Sequence, residues 1–179
     1  MIIDKNFLDE KSKLFIEEVV LGDYFPFYIQ KNTTDQDVFS NNFFLSHRVV
    51  ARPEENSESV SIITSDFHQE FFKIFELFTN KNNIQHNQIH RCSVNLTFKV
   101  NAIACPIHND HDFEHKQLLI YLNDCDDKES KTVLLDKKAK SIIEEIPPEQ
   151  YKGVCFDSCP HFHYFPKKGK RVVLVYTFS

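Results

Sequence analysis

The chain has 179 residues, of which 41% are hydrophobic and 26% charged, a composition that can bury the core of one domain spanning residues 1–179. Its three glycines lie far apart, at Gly22, Gly153 and Gly169, so the sequence cannot build a Gly-rich phosphate loop or a dinucleotide-binding fingerprint. The formal net charge of −5 provides no basic excess for binding a phosphate backbone, and we expect no nucleic acid partner.

Targeting and redox features of the sequence predict a cytoplasmic protein. The first residues lack the apolar run of a secretory signal, and no stretch approaches the ~20 apolar residues that span a bilayer, so no membrane partner is expected. The cysteines are odd in number and have no framework spacing, which predicts reduced thiols at Cys92, Cys105, Cys125, Cys155 and Cys159.

Two helices are predicted in the amino-terminal half. From Phe7 to Val20, apolar residues follow a 3.6-residue period, with caps offered by Asp9 and Ser12 and one apolar side formed by Leu8, Leu14, Phe15 and Val19. Residues 23–52 are aromatic but aperiodic, which predicts short strands and loops. Residues 66–78 then form an amphipathic helix that is capped by Ser65 and Asp66 and carries an apolar stripe of Phe67, Phe71, Ile74 and Phe78.

From Ile89 onward the hydrophobic period becomes two, which is typical of strands. Apolar Cys92, Val94, Leu96, Phe98 and Val100 alternate with polar Arg91, Ser93, Asn95, Thr97 and Lys99. Further strands are predicted at residues 117–122, 132–135, 153–157 and 171–178. Helices followed by many short strands predict an α+β chain, mainly β, whose carboxyl-terminal part is a sandwich or barrel.

The densest cluster of chemically active side chains begins at His108, with three imidazoles and three carboxylates in eight residues. On a strand, residues i and i+2 point to the same side, so His108 and Asp110 can bind one ion together. A third imidazole must come from elsewhere, and His161 and His163 are the candidates. Two imidazoles and one carboxylate form the facial triad of non-haem Fe(II) oxygenases, whose open positions accept a cosubstrate and O2. Arg171 lies ten residues after His161, at the head of an apolar strand.

With these pieces, residues Ile89 to Phe178 resemble the Fe(II)- and 2-oxoglutarate-dependent dioxygenases, specifically the small prolyl-4-hydroxylase-like members of bacteria and marine phages. The residues that carry the resemblance are His108-Asn109-Asp110, Leu119-Ile120-Tyr121-Leu122-Asn123, His161 and Arg171.

The resemblance implies a fold and a site. The implied fold is a double-stranded β-helix, a jelly-roll barrel formed by residues 89–179 and supported by the helices and strands of residues 1–88. The implied catalytic metal ligands are His108, Asp110 and His161, with Arg171 binding the far carboxylate of 2-oxoglutarate.

The resemblance also implies an activity. Fe(II) and 2-oxoglutarate are the implied cofactor and cosubstrate, with ascorbate or another reductant as an accessory. The implied reaction converts 2-oxoglutarate to succinate and CO2 and hydroxylates a C–H bond in a small molecule or a peptide, for example a prolyl or another amino-acid side chain. The expected setting is the cytoplasm of a bacterium or of a phage-infected cell.

Two features depart from the family pattern. After the Tyr-Leu-Asn strand the family usually has Gly-Gly-Glu-Thr, whereas this chain has Lys128-Glu129-Ser130-Lys131-Thr132, so a different turn and different substrate contacts are expected. His163 shares a strand face with His161 and competes with it for the metal. Its spacing of eight residues to Arg171, rather than ten, favours His161.

Further candidate residues have two interpretations each. Tyr121 is predicted either to bond the cosubstrate carboxylate or to fill the core with its hydroxyl satisfied. Arg91 and Asn95, on the polar face of the strand from Ile89, either face solvent or line the barrel mouth as cofactor-binding residues. His111 and His115 are predicted to be solvated or to lie behind the metal ligands.

Two other functions remain as hypotheses. A catalytically inactive jelly-roll module that binds metal or ligand shares the fold and differs in lacking turnover. A zinc-dependent hydrolase would need a general base that the sequence does not identify. The Cys-x3-Cys spacing of Cys155 and Cys159, without a second pair, matches a zinc site poorly, and buried thiols are expected.

Overall fold

A computed structural model describes residues 1–30, 43–55 and 59–179. The prediction of short strands and loops over 23–52 lies partly outside this range. The strands of the described residues are β1 (Ile2–Asp4), β2 (Tyr28–Gln30), β3 (Phe44–Ala51), β4 (Ile62–Ile63), β5 (Ile89–Phe98), β6 (Lys116–Tyr121), β7 (Thr132–Leu135), β8 (Ile142–Ile146), β9 (Gly153–Asp157), β10 (His161–His163) and β11 (Lys170–Phe178). The helices are α1 (Glu10–Leu14), a π-helix (Phe15–Val20), a 3-10 turn (Pro53–Glu55) and α2 (His68–Lys81).

The strands form two antiparallel sheets. The larger sheet has the order β1-β9-β6-β11-β5-β3-β2, with β4 paired to β3, and the smaller sheet has the order β10-β7-β8. Strands from the amino-terminal part therefore join the same sheet as β5 and β11. The prediction of a mainly β chain is confirmed, and β7 and β9 have the predicted bounds.

The larger sheet buries its two faces against different neighbours. On one side, Val172, Leu174, Tyr176 and Phe178 of β11 join the core cluster that includes the apolar side chains of α2. On the other side, Val173 and Val175 pack with Leu134 and Ile146, which belong to the smaller sheet. Because alternate residues of a strand point to opposite faces, β11 contributes to both cores.

Helix α2 forms because its apolar residues recur with the helical period, as predicted. It buries Phe71, Ile74, Phe75 and Phe78. The ring of Phe75 lies 5.1 Å from that of Tyr176 and 4.9 Å from that of Phe178. Ser65 accepts a hydrogen bond from the backbone N–H of Phe67 through its hydroxyl, at 3.1 Å, just before the helix begins.

The first helix differs from its prediction in start and in register. It begins at Glu10 because Asp9 is the N-cap, whose carboxylate accepts the backbone N–H of Ser12 at 2.7 Å. The chain then continues as a π-helix, in which the wider turn rotates later residues relative to a 3.6-residue period. Ile16 and Val20 are consequently the buried residues of this segment, whereas Leu14 is 51% exposed.

Two simpler expectations concern the cysteines and membrane spans. None of the five cysteines forms a disulfide bond within the described part of the chain, in agreement with the predicted thiols. Among the described residues, no helix combines the length and the apolar character needed to cross a membrane.

Candidate metal centre and its cavity

Two histidines that are distant in the sequence are brought together by the backbone. His108 and His161 form an isolated antiparallel bridge in which each residue donates its N–H to the carbonyl oxygen of the other at 3.0 Å. The side chains of such a pair extend from the same side of the ladder. Their ring centroids are accordingly 4.5 Å apart. His161, and not His163, is therefore the imidazole that meets His108.

Asp110 supplies a carboxylate beside these rings. Its Oδ2 atom lies 3.6 Å from Nε2 of His161. Its Oδ1 atom accepts hydrogen bonds from Arg52 at 2.8 Å and from Arg91 at 2.5 Å. Arg52 also donates to the backbone carbonyl of Asp110 at 3.0 Å. Because both guanidiniums bind Oδ1, the other oxygen is left facing the imidazole.

Hydrogen bonds set the tautomers of both histidines. Nδ1 of His108 lies 2.9 Å from the carbonyl oxygen of Pro106, and Nδ1 of His161 lies 2.9 Å from that of Cys159. A carbonyl oxygen can only accept, so each Nδ1 carries the proton and each Nε2 has a free lone pair. Imidazoles that ligate metals are usually oriented by a bond of this kind.

The electrostatics of the cluster favour a charged Asp110 carboxylate and a neutral His161 imidazole. Burial opposes ionisation of Asp110, but Arg91, His161 and Arg52 outweigh it and hold the pKa of the carboxyl well below its usual range. Burial, together with the neighbouring His108, lowers the pKa of His161 to about 4. Burial also lowers the pKa of Arg91 to about 10, so this guanidinium remains cationic at neutral pH.

The distances only partly match a metal site. Donor atoms lie about 2.0–2.2 Å from an ion, so two donors of one ion lie within roughly 4.4 Å of each other. The 3.6 Å between Asp110 Oδ2 and His161 Nε2 meets this limit. Yet nowhere in residues 1–30, 43–55 and 59–179 are three His, Cys, Asp or Glu side chains grouped so that they could hold an ion as they stand. The donor chemistry of two imidazoles and one carboxylate fits Fe(II).

Arg171 lies in the same cavity, held by a chain of hydrogen bonds. Its Nη2 donates to Thr132 Oγ1 at 2.7 Å, and this hydroxyl lies 2.9 Å from the Tyr121 hydroxyl. Tyr121 in turn donates to the carbonyl oxygen of Ile146 at 3.3 Å. The guanidinium carbon also lies 5.4 Å from the centre of the Tyr121 ring. Arg171 is 5% exposed, and its Nε atom is buried without a partner.

This chain of bonds bears on the predicted role of Tyr121. The Tyr121 hydroxyl donates to the carbonyl oxygen of Ile146, and the Tyr121 ring packs against the guanidinium of Arg171. The structure therefore places Tyr121 behind the guanidinium, and direct binding of cosubstrate by Tyr121 stays a prediction.

A cavity of about 90 Å³ connects the candidate ligands with Arg171, and both sheets line it. Arg91 and Asn95 of β5 are among the lining residues, so the polar face of this strand looks into the cavity rather than to solvent. Arg91 is bound to Asp110, and Asn95 accepts a hydrogen bond from the hydroxyl of Ser46 at 2.8 Å. Contact of either residue with a cosubstrate stays a prediction.

Of the two alternatives for His111 and His115, the solvated one is wrong, because both are buried. That they lie behind the metal ligands stays a prediction. His111 lies with Nδ1 2.8 Å from Glu54 and Nε2 2.7 Å from Thr177. Its two ring nitrogens are thus engaged away from the His108–Asp110–His161 cluster. His115 lies with Nδ1 2.8 Å from the carbonyl oxygen of Phe113.

Sequence reasoning missed two residues of this region. Arg52 was not a candidate, although it binds both the side chain and the backbone of Asp110. Its position directly after the apolar end of β3 resembles the position of Arg171 at the head of β11, and this was the available signal. Thr132 was predicted as the end of the unusual turn and the first residue of a strand, and nothing local indicated that its hydroxyl would bond Arg171.

Comparison with solved structures relates this architecture to a known fold. An oxidoreductase of the 2OG-Fe(II) oxygenase family from Burkholderia pseudomallei matches with a TM-score of 0.65 at 14% identity, over 94% of this chain and 89% of that one. A Trichoplax adhaerens prolyl hydroxylase, solved with a hypoxia inducible factor peptide fragment, matches with a TM-score of 0.63 at 16% identity, over 99% and 82%.

A Pseudomonas putida prolyl-4-hydroxylase matches with a TM-score of 0.58 at 12% identity, over 99% of this chain and 91% of that one. No protein-family model and no curated protein matches the sequence. Identities of this size establish likeness of fold. The chain therefore has the fold of the 2OG-Fe(II) oxygenases, as the sequence resemblance predicts.

Proposed function

We propose that this protein is an Fe(II)- and 2-oxoglutarate-dependent oxygenase that hydroxylates a C–H bond of a small molecule or a peptide. The observation that carries the proposal is the bridge between His108 and His161 beside Asp110, in one cavity with the buried Arg171. Two imidazoles and one carboxylate are the donor set of the facial triad. The matching fold of known oxygenases supports the same conclusion.

In this proposal His108, Asp110 and His161 hold Fe(II) through the two Nε2 atoms and Oδ2. The bound iron would supply the reaction with O2 that converts 2-oxoglutarate to succinate and CO2 and oxidises the substrate. The role of the protein's own residues is to position the groups bound in the cavity and to shield them. Backbone carbonyls orient the two imidazoles, and Arg52 and Arg91 hold the second oxygen of Asp110.

Arg171 would bind the far carboxylate of 2-oxoglutarate. A guanidinium presents a planar fork that matches the two oxygens of a carboxylate. Its charge is not paired with an acidic side chain within 4.0 Å among the described residues, and its Nε lacks an acceptor. Lys168 and Lys170, the alternative basic residues, are both exposed. Arg171 is therefore buried and charged, and its Nε–H donor is available for a ligand.

The finer architecture belongs to the same proposal. The two sheets that enclose the cavity would form the jelly-roll barrel of a double-stranded β-helix, with the metal between β10 and the segment that contains His108. The amino-terminal helices would support this barrel through α2. A peptide is a reasonable substrate class because the Trichoplax neighbour was solved with a peptide fragment.

Anaerobic titration of the metal-free protein with Fe(II) and then 2-oxoglutarate tests the proposal. We expect the visible charge-transfer band of a metal-bound 2-oxo acid, followed by O2-dependent formation of succinate. His161→Ala is the matched control and should show neither signal. Tight Fe(II) binding without succinate would favour the inactive binding module. Equal succinate formation with Zn(II), which has no redox chemistry, would refute the oxygenase.

A further inference from the structure

His163 lies beside Arg171 and has no role in the proposed metal centre. In the β10–β7 ladder it is the cross-strand neighbour of Thr132, whose hydroxyl accepts the hydrogen bond from Arg171. Side chains of directly opposed residues extend from the same face of a sheet. His163 and Arg171 accordingly line the same cavity.

Cys105 contacts His163 through both the backbone and the imidazole ring. The Cys105 sulfur accepts the backbone N–H of His163 at 3.2 Å, and it lies 3.1 Å from His163 Nδ1. This contact fits two tautomers of His163, because Nδ1–H can donate to the sulfur or the S–H can donate to Nδ1. In the second arrangement the imidazole proton resides on Nε2.

The Nε2 atom of His163 is buried and has no partner among the described residues. The Nε atom of Arg171 is buried and unpartnered in the same way. Two buried nitrogens that belong to residues of one cavity thus have no partner among the described residues. Buried polar groups are rarely left unpaired, and the Nε of Arg171 is an N–H donor, so a ligand with acceptor lone pairs is expected in this cavity. A carboxylate supplies such acceptors and also complements the guanidinium charge.

We propose that His163 is a second binding residue for the far carboxylate of 2-oxoglutarate, donating from Nε2 while Arg171 supplies the charge and Cys105 fixes the tautomer. This inference rests on the proposed function and assigns His163 to the cosubstrate rather than to the metal. Its consequence is selectivity: the cavity should distinguish 2-oxo acids that end in a carboxylate from those that end in a methyl group.

The test compares two ligands on Mn(II)-loaded protein without O2, by titration calorimetry. One ligand is 2-oxoglutarate, and the other is 2-oxopentanoate, which has a methyl group in place of the far carboxylate. We expect His163→Leu to weaken 2-oxoglutarate binding at least tenfold and to leave 2-oxopentanoate and Mn(II) binding within about twofold, since a hydrogen bond to a charged group is lost. His163→Gln keeps an N–H donor and should restore part of the affinity.

A second measurement examines the tautomer directly. The imidazole 15N chemical shifts of His163 in metal-free protein should report a proton on Nε2 in the wild type and in Cys105→Ser, whose hydroxyl can still donate to Nδ1. In Cys105→Ala the proton should move in part to Nδ1, with a few-fold loss of 2-oxoglutarate affinity. A residue with a purely structural role would not couple these two readouts.

Three outcomes would overturn the inference. Loss of Mn(II) binding in His163→Leu would make His163 a metal ligand, and equal losses for both ligands would make it a structural residue. Unchanged 2-oxoglutarate affinity would mean that water satisfies the donor. In all three cases the proposed function survives, because the wild type still binds 2-oxoglutarate. Failure of the wild-type Mn(II) protein to bind 2-oxoglutarate would instead refute the proposed function and this inference together.

Discussion

Strand β11 has two faces that are equally buried but differ in what they contact. Toward α2, Val172, Leu174, Tyr176 and Phe178 are each 0% exposed and pack on phenylalanine rings, and the Tyr176 hydroxyl donates to the backbone carbonyl of Phe71 at 2.7 Å. Toward the smaller sheet, Arg171, Val173, Val175 and Thr177 are 7% exposed or less. Burial alone therefore does not separate the two sides.

The two faces differ in whether their buried polar atoms have hydrogen-bond partners. Buried side-chain atoms without a partner occur on the inter-sheet side of the described strands, at Ser93, Gln117, His163 and Arg171. Such atoms cost folding free energy, and native cores rarely retain them. The helix-facing side is thus arranged for stability, whereas the inter-sheet side retains unpartnered polar atoms, two of which belong to the cavity residues His163 and Arg171.

The largest expected effect is a loss of activity with little change in stability, for a residue on the inter-sheet side. His161→Ala should abolish formation of succinate from 2-oxoglutarate, because one of three metal ligands is lost. It should leave the thermal unfolding midpoint within a few degrees of the wild type, since the side chain packs at the edge of the cavity. Mass-spectrometric detection of succinate and a thermal melt measure the two quantities.

Asp110→Ala should differ from His161→Ala in its effect on stability. Asp110→Ala should also abolish turnover, but it leaves Arg52 and Arg91 without their shared carboxylate. Breaking a buried ion pair by removing one partner costs about 3–5 kcal/mol of unfolding free energy. If Asp110→Ala and His161→Ala were equally stable in urea, the role of Asp110 as the partner of the arginines would be wrong.

The helix-facing side should show the opposite behaviour. Phe75→Ala removes a fully buried ring from between α2 and β11 and should lower the unfolding free energy by about 3–5 kcal/mol. The dissociation constant for 2-oxoglutarate, measured below the unfolding transition, should stay within twofold. A changed dissociation constant would show that the two faces are energetically coupled through β11.

Arg171→Ala should affect binding more than folding. Removing a charge-assisted, two-point contact from a closed pocket weakens binding by on the order of 2–4 kcal/mol. The 2-oxoglutarate requirement should therefore rise at least tenfold, with Fe(II) affinity nearly unchanged. Arg171→Lys keeps the charge without the fork and should give an intermediate value. An unaltered requirement would show that another group holds the cosubstrate.

Local patterns in the sequence predicted the apolar face of α2 and five of the strands individually, namely β5, β6, β7, β9 and β11. The period of two identified β5, and the predicted bounds of β7 and β9 match the structure. The period-two rule also placed His108 and Asp110 on one side, whereas the preference for His161 came from the spacing to Arg171 in the family that the sequence resembles.

The rest depends on contacts between distant segments. The arginine pair on Asp110 joins Arg52, which directly follows β3, and Arg91 of β5 to a loop, and the Cys105–His163 pair crosses to β10. No local period signals such contacts. The π-helix from Phe15 to Val20 likewise departs from the 3.6-residue period on which the prediction of the first helix relied. The binding of metal by the candidate ligands stays a prediction.

The smallest expected effect concerns His47, a polar residue on the otherwise apolar helix-facing side. Its ring packs 4.4 Å from that of Phe25, with Nδ1 2.8 Å from the carbonyl oxygen of Pro26 and Nε2 2.7 Å from the Ser65 hydroxyl. Burial lowers the pKa of His47 below its ordinary value of 6.5. Below that pH the unfolded chain binds a proton that the folded protein excludes.

Stability contributed by neutral His47 is therefore complete above about pH 6.5 and is lost as the pH falls toward the lower folded pKa. Between pH 7 and 5.5, this one group should remove at most about 1 kcal/mol of unfolding free energy. His47→Gln carries no such proton, so its unfolding free energy in urea should fall less over this interval than that of the wild type. Parallel pH profiles of the unfolding free energy for the two proteins would contradict this prediction. They would show that His47 titrates alike in the folded and unfolded states and is therefore accessible to solvent in the folded protein.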